Sequence, residues 1–189
     1  NIGLIYTPKN LSQLTLKADY WSISVSDIIV IPSIQDLYNG ISPVGTITRD
    51  ASQYPTFDIR VTNGGVIDAE GFDLGASYHW DIGSLGRLTL DGTATYTTTF
   101  ERIFGPTINE YLGNWTAGYG VMPKLRAVAG ANWRRGSWEA ATFVRYKSSL
   151  NEVVSGATRE IEDYTTGDIQ VAYNFGPDSG FARGLLRNT

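Results

Sequence analysis

Apolar and polar residues alternate with a period of two through most of this chain, the pattern of strands whose two faces meet different surroundings. In residues 87–100, Leu88, Leu90, Gly92, Ala94 and Tyr96 share one face, while Arg87, Thr89, Asp91, Thr93, Thr95 and Thr97 share the other. Leu125, Ala127, Ala129, Ala131 and Trp133 oppose Arg126, Val128, Gly130 and Asn132 in the same way. Similar stretches cover residues 72–81, 138–146 and 169–175. Another begins with Leu14, Leu16, Ala18 and Tyr20, then shifts phase at Tyr20-Trp21 to continue in Ile23 and Val25, which predicts a bulge at that step. Helical three-four spacing never persists. The expectation is an all-β chain, an antiparallel up-and-down meander with strands over 14–28, 59–80, 87–100, 125–133, 138–146 and 164–175.

The connections alternate in length. Residues 7–13, 81–86 and 134–137 are short and carry Pro, Asn or Gly, whereas 29–56, 101–124 and 150–162 are long and polar. Compact soluble domains rarely hold several loops beyond about 12–15 residues. Outer-membrane barrels do so routinely, with tight periplasmic turns and long outer loops. Aromatic residues gather at strand ends: Trp80, Trp133, Trp138, Tyr173 and Phe175 beside the short turns, and Tyr96, Phe100 and Tyr146 toward the long loops. Two such bands around a middle of Leu, Ala, Val and Gly suit a transmembrane β-barrel with its apolar face outward. The apolar set including Leu88, Leu90, Ala94, Ala127, Ala129 and Val144 is therefore expected to face lipid, and Arg87, Asp91, Arg126 and Arg145 the interior.

Composition narrows the chemistry. The 189 residues include no Cys and one His (His79), so thiolate metal sites and cysteine nucleophiles are excluded, and a His-dependent triad has only one place to form. A net charge of −4 offers nucleic acid no basic footprint. No apolar run approaches the roughly 18 residues of a spanning helix. The chain starts within an apolar run and ends on Arg187-Asn188-Thr189, so the expectation is one partial barrel domain over 1–189, about eight strands with the first (residues 1–6) and last (from Leu185) incomplete.

Ordered motifs then resemble the C-terminal half of the barrel of a TonB-dependent outer-membrane receptor. The run 14–21 (LTLKADYW) resembles that family's rising strand before a long loop, and 61–65 (VTNGG) with 70–75 (EGFDLG) its descending strand. Residues 123–126 (PKLR), Asn132-Trp133 and Trp138 resemble the next hairpin, and Asp163-Tyr164 running to 170–175 (QVAYNF) the strand after it. The resemblance implies a section of a wall of about 22 strands, in a protein of the bacterial outer membrane whose plug domain, TonB box and final strand lie outside this sequence. It implies energy-coupled uptake of a scarce nutrient such as a siderophore, cobalamin or oligosaccharide. The partners implied are membrane lipid, the nutrient, the plug and remaining strands, and the TonB complex through the N-terminal region. A passive porin-like barrel and a soluble ligand-binding β-domain remain the alternatives; the N-terminal sequence separates them.

No catalytic constellation, cofactor motif or metal cluster is visible, so an enzyme is not expected. Glu160, Glu162, Asp163 and Asp168 cluster late in the chain without a base or nucleophile beside them. His79 is expected to face the interior near the short-turn rim. Arg87, Arg126 and Arg145 are expected to pair across strands with acids such as Asp91 and Glu139, and Arg134-Arg135 to sit in a periplasmic turn at the lipid headgroups. Candidate ligand contacts fall in a long loop, where Tyr111, Trp115 and Tyr119 interleave with Asn109, Glu110 and Asn114. Aromatic faces with amide partners suit sugar rings or an apolar chelate; Tyr111, Asn114, Trp115 and Tyr119 are the residues singled out.

Overall fold

A computed structural model describes residues 1–40, 42, 45–116, 120–154 and 156–175. In chain order the elements are β1 (Ile2–Tyr6), β2 (Leu14–Val30), a short helix α1 (Ile34–Tyr38), β3 (Thr46–Arg49), β4 (Pro55–Asp58), β5 (Thr62–Asp81) and β6 (Arg87–Phe104). Then follow β7 (Thr107–Glu110), β8 (Asn114–Thr116), β9 (Gly120–Val121), β10 (Leu125–Arg135), β11 (Trp138–Lys147), β12 (Leu150–Val154), β13 (Ala157–Ile161) and β14 (Tyr164–Tyr173). The main sheet runs β1-β2-β5-β6-β10-β11-β14, every pair antiparallel and consecutive along the wall, with β7 folded back on β6. This is the expected meander. Among the described residues β1 pairs only with β2, and β14 only with β11; Leu185 lies outside them.

The registers assign the faces. Leu16, Ala76, Gly92, Ala129, Val144 and Gly167 stand in one row across six strands. The adjoining row, on the opposite face, is Lys17, Gly75, Thr93, Val128, Arg145 and Thr166. The first face is apolar over its middle, with Leu74, Ala94 and Ala127 above that row and Tyr78, Leu90 and Ala131 below it. It is bounded by two aromatic rows: Trp80 and Trp133 flanking Leu88 at the short turns, and Tyr20, Phe72 and Tyr96 at the other end. Trp80 and Phe72 are eight residues apart on β5, about 26 Å of strand. Tilted as barrel strands are, that spans about 20 Å, close to the apolar band of an outer-membrane barrel.

Charged groups on the opposite face find partners, though not all the expected ones. Arg145 pairs with Asp168 and Arg87 with Asp81 (3.5 Å), because the ladder brings those acids beside them. Asp91 instead accepts from Ser77 (2.8 Å), Glu139 pairs with Arg134 (2.8 Å), and Arg126 approaches the Met122 sulfur at 3.8 Å. Asp73 accepts from Thr95 (2.7 Å), and His79 Nδ1 lies 3.2 Å from Thr89 Oγ1 on this same face near the short turns.

The phase shift at Tyr20-Trp21 has a different origin from the bulge expected there. The β2–β5 ladder is unbroken from Leu14↔Tyr78 to Val25↔Ile67, and the bulge on β2 comes later, where Asp27 takes φ 55°. Trp21, Ile23 and Val25 therefore share the face of Lys17 and Asp19, and the hydrophobic signal itself changes sides. Above the Tyr20–Phe72–Tyr96 row the formerly apolar face carries Ser22, Ser24, Asp68 and Glu70, and Ser22 donates to Glu70 at 3.2 Å. On β6 an extra residue, Thr98, keeps Phe100 and Arg102 opposite Ala69 and Ile67. Phe100 thus leaves the expected aromatic band and lies on the face of Trp21.

Two glycines admit aromatic rings from neighbouring strands. A Cβ on Gly71 would lie 2.5 Å from the Trp21 ring and 2.7 Å from the Tyr96 carbonyl; one on Gly130 would lie 2.9 Å from Phe143. The turn between β10 and β11 is a two-residue join with Gly136 at φ 56°, the conformation a tight hairpin demands of its first central residue. Gly71→Ala is expected to destabilise the full-length protein by about 1–3 kcal/mol through overpacking, whereas Gly92→Ala, whose Cβ meets nothing closer than 3.9 Å, stays within about 0.5 kcal/mol. Urea midpoints at unchanged slope measure both.

Candidate functional site

The long connections expected as polar loops are built structures. Residues 105–124 and 148–163 meet in a second sheet of order β13-β12-β8-β9, in which β8 and β12 run parallel through Asn114↔Asn151 and Trp115↔Glu152. The Asn151 amide donates to the Gly113 carbonyl (2.8 Å), and the Gly113 amide to that of Met122 (2.8 Å). Leu112 and Leu150 are buried here, with Pro123, forming a small apolar core under the outer loops. Glu152 and Arg159 add a pair at 2.6 Å between β12 and β13. In the connection after β2, Ser33 caps α1: its hydroxyl accepts from the Asp36 amide (3.0 Å), and the Asp36 carboxylate accepts from the Ser33 amide (2.8 Å). A cleft of about 220 Å³ opens between Ile31, Ser33, Asp36, Arg102, Phe104 and Asn109.

Of the four candidate contact residues, Asn114 and Trp115 lie on β8 of this loop sheet and Tyr111 lies just before it, against β6. Tyr111 is held by its amide to the Phe100 carbonyl (2.9 Å), and its ring meets the Phe100 ring edge-on at 6.4 Å. The side chain of Asn114 donates to the Leu112 carbonyl at 3.2 Å, so its amide group shapes the turn after Tyr111. Trp115, on β8, is 41% exposed and presents its indole to the surroundings. Tyr119 lies outside the described residues. Glu110, also in the interleaved segment, accepts from the Leu112 amide at 2.9 Å. What the sequence reading missed is the second half of this platform, Asn151 and Glu152; Leu112 and Leu150, lone apolar residues in polar loops, were its available signal.

The late acids do not form a pair of catalytic carboxylates. Glu160 stands opposite Asn151 on β13, while Asp168 lies on the wall with Arg145. Among the described residues no group of three or more His, Asp or Glu is placed to hold a metal ion, and no helix is long and apolar enough to cross a membrane. In the outer loops Arg60 gives Asp58 two hydrogen bonds (2.7 and 3.0 Å), which with the carboxylate's charge push the guanidinium above its ordinary range. Both side chains lie largely in solvent, and the pair anchors no site.

The model of the TonB dependent receptor-like β-barrel matches residues 1–185. The chain belongs to that family. Its members are receptors and transporters rather than enzymes. The fold is similar to that of the siderophore receptor PirA from Acinetobacter baumannii, with a TM-score of 0.55 at 12% sequence identity, over 93% of this chain and 25% of that one. This chain thus spans about a quarter of that receptor's length, and the likeness shows the fold. No curated protein matches it. Within a TonB-dependent receptor barrel, the β8–β12 junction ties two outer loops into one body. Asn151→Pro removes the donor to Gly113; amide hydrogen exchange in the full-length receptor is expected to lose protection across 105–124 and 148–163 together, with β10 and β11 unchanged.

Proposed function

We propose that this chain is a section of wall and outer loops in an outer-membrane receptor for energy-coupled uptake of a scarce nutrient. Membership of the TonB-dependent receptor family carries the reading, and the exchange of faces at the Tyr20–Phe72–Tyr96 row supports it. Below that row the apolar face lies against lipid and the polar face lines the lumen. Above it, Ser22, Ser24, Asp68 and Glu70 meet water, while Trp21, Ile23 and Phe100 turn toward the vestibule. The open edges at β1 and β14 take further strands of the same wall. Tyr111, Asn114, Trp115 and Tyr119 contact the nutrient, a siderophore, cobalamin or oligosaccharide. A plug closes the lumen, and the TonB complex acts on it through the N-terminal region.

Three measurements test the reading. Ala129→Arg, in the middle row of the apolar face, should cost about 2–4 kcal/mol of folding stability in vesicles, as charge against lipid does. Thr93→Arg, on the polar face at the same height, should cost under about 1 kcal/mol. Equal costs would remove the lipid assignment. In cells making the full-length receptor, uptake of ferric siderophores, cobalamin or oligosaccharides should stop for one class when TonB is deleted. Trp115→Ala should weaken binding of that class by about tenfold. Uptake that persists without TonB would identify a passive pore instead.

A further inference from the structure

Below the lower aromatic row stands a cation, Arg135, that no acid among the described residues neutralises. Arg134 and Arg135 end β10 and point to opposite faces, as consecutive strand residues do. Arg134, on the polar face, gives Glu139 two hydrogen bonds of 2.8 and 3.0 Å. Arg135 stands in register with Trp138 and, through it, Tyr173, on the apolar face. Among the described residues no acid lies within ion-pair distance of it. Arg135 lines a cleft of about 630 Å³ with Trp133, Gly136, Ser137, Trp138 and Tyr173.

The walls of this cleft are fixed before anything binds. The Trp133 indole N–H donates to the Leu85 carbonyl at 2.8 Å, which ties its ring to the neighbouring turn. Trp138 and Tyr173 meet edge-on at 4.8 Å, and Tyr173 meets Phe175 likewise at 4.9 Å. Gly86 lets the turn of residues 82–86 close against this corner, since a Cβ there would lie 2.1 Å from the Arg134 carbonyl and 2.9 Å from Arg135 Cβ. Indole and phenol rings settle at headgroup depth, and a guanidinium matches two phosphate oxygens in a planar fork. An arginine framed by such rings, with no carboxylate among the described residues to pair it, has the right surroundings for a lipid phosphate.

We propose that this cleft binds the headgroup of an anionic phospholipid from the leaflet at the short turns. Arg135 holds the phosphate, and Trp133, Trp138 and Tyr173 flank the glycerol and the first acyl carbons. The site rests on the reading that the apolar face lies against lipid. The test uses the full-length receptor equilibrated in detergent with equal phosphatidylglycerol and phosphatidylcholine, then analysed by intact-complex mass spectrometry. One phosphatidylglycerol is expected to be retained in preference, with Arg135→Gln reducing its retention about tenfold. Arg159→Gln, an equal loss of charge in an outer loop, should leave it unchanged. Equal retention of both lipids, or an Arg135→Gln variant that behaves as the unaltered receptor, would overturn the site. A parallel experiment in vesicles of chain-brominated phosphatidylcholine reads Trp138 quenching as the difference from Trp138→Phe. Quenching without any Arg135 dependence of retention removes the headgroup site alone; absence of quenching removes the lipid-facing assignment and the site with it. Heat-dependent gel mobility confirms that each variant is folded.

Discussion

Inside hydrocarbon no water is available to an amide or carbonyl, and each one left unpaired costs several kcal/mol. A chain that crosses with strands must therefore pair every strand on both sides along the whole crossing. In this wall β2, β5, β6, β10 and β11 meet that requirement through strands that follow one another along the chain, while among the described residues β1 and β14 are each paired on one side. Once the ladders are set, pleating decides everything else about the wall. Each side chain is committed to one face or the other, and a one-residue slip would exchange all of them.

That commitment makes the change of surroundings along β2 and β5 informative. The ladder does not move at Tyr20-Trp21, so the exchange lies in the residues themselves and not in the pairing. Leucine and alanine give way to serine and acid on one side, while tryptophan and isoleucine appear on the other. The extra residue on β6 keeps its upper section in step with this exchange, so Phe100 meets Tyr111 of the loop. The strands are thus continuous from the aromatic-banded section of the wall to the loop platform, and the position of Tyr111 is anchored to the wall.

Most of the wall was legible from the sequence because one face is consistently apolar and the joins are short. The six long strands and the two faces around Leu90 and Ala129 follow from period two, and their order from the short joins between them. The loops were not legible in the same way. β8 has three residues and β12 five, too few for periodicity to register, and their pairing depends on Gly113 and Asn151, whose backbone groups carry no side-chain signature. The change of face at Trp21 was visible as a shift of phase, but alternation alone cannot tell a bulge from a change of surroundings; only the register separates the two. The specific ion pairs escaped for a related reason. Arg145 finds Asp168 on a diagonal that depends on how β14 is aligned with β11.

The parallel junction of β8 and β12 also bears on the order in which the protein assembles. Asn114 and Asn151 are 37 positions apart, whereas Arg135 and Trp138 close their hairpin across two residues. Closing the larger loop costs more chain entropy and returns only two bridged pairs. If the β10–β11 hairpin and the docking of β14 come first, they bring those two connections to the same rim and remove most of that cost. The outer platform would then be the last part of this section to form, after the strands that carry it have crossed the membrane.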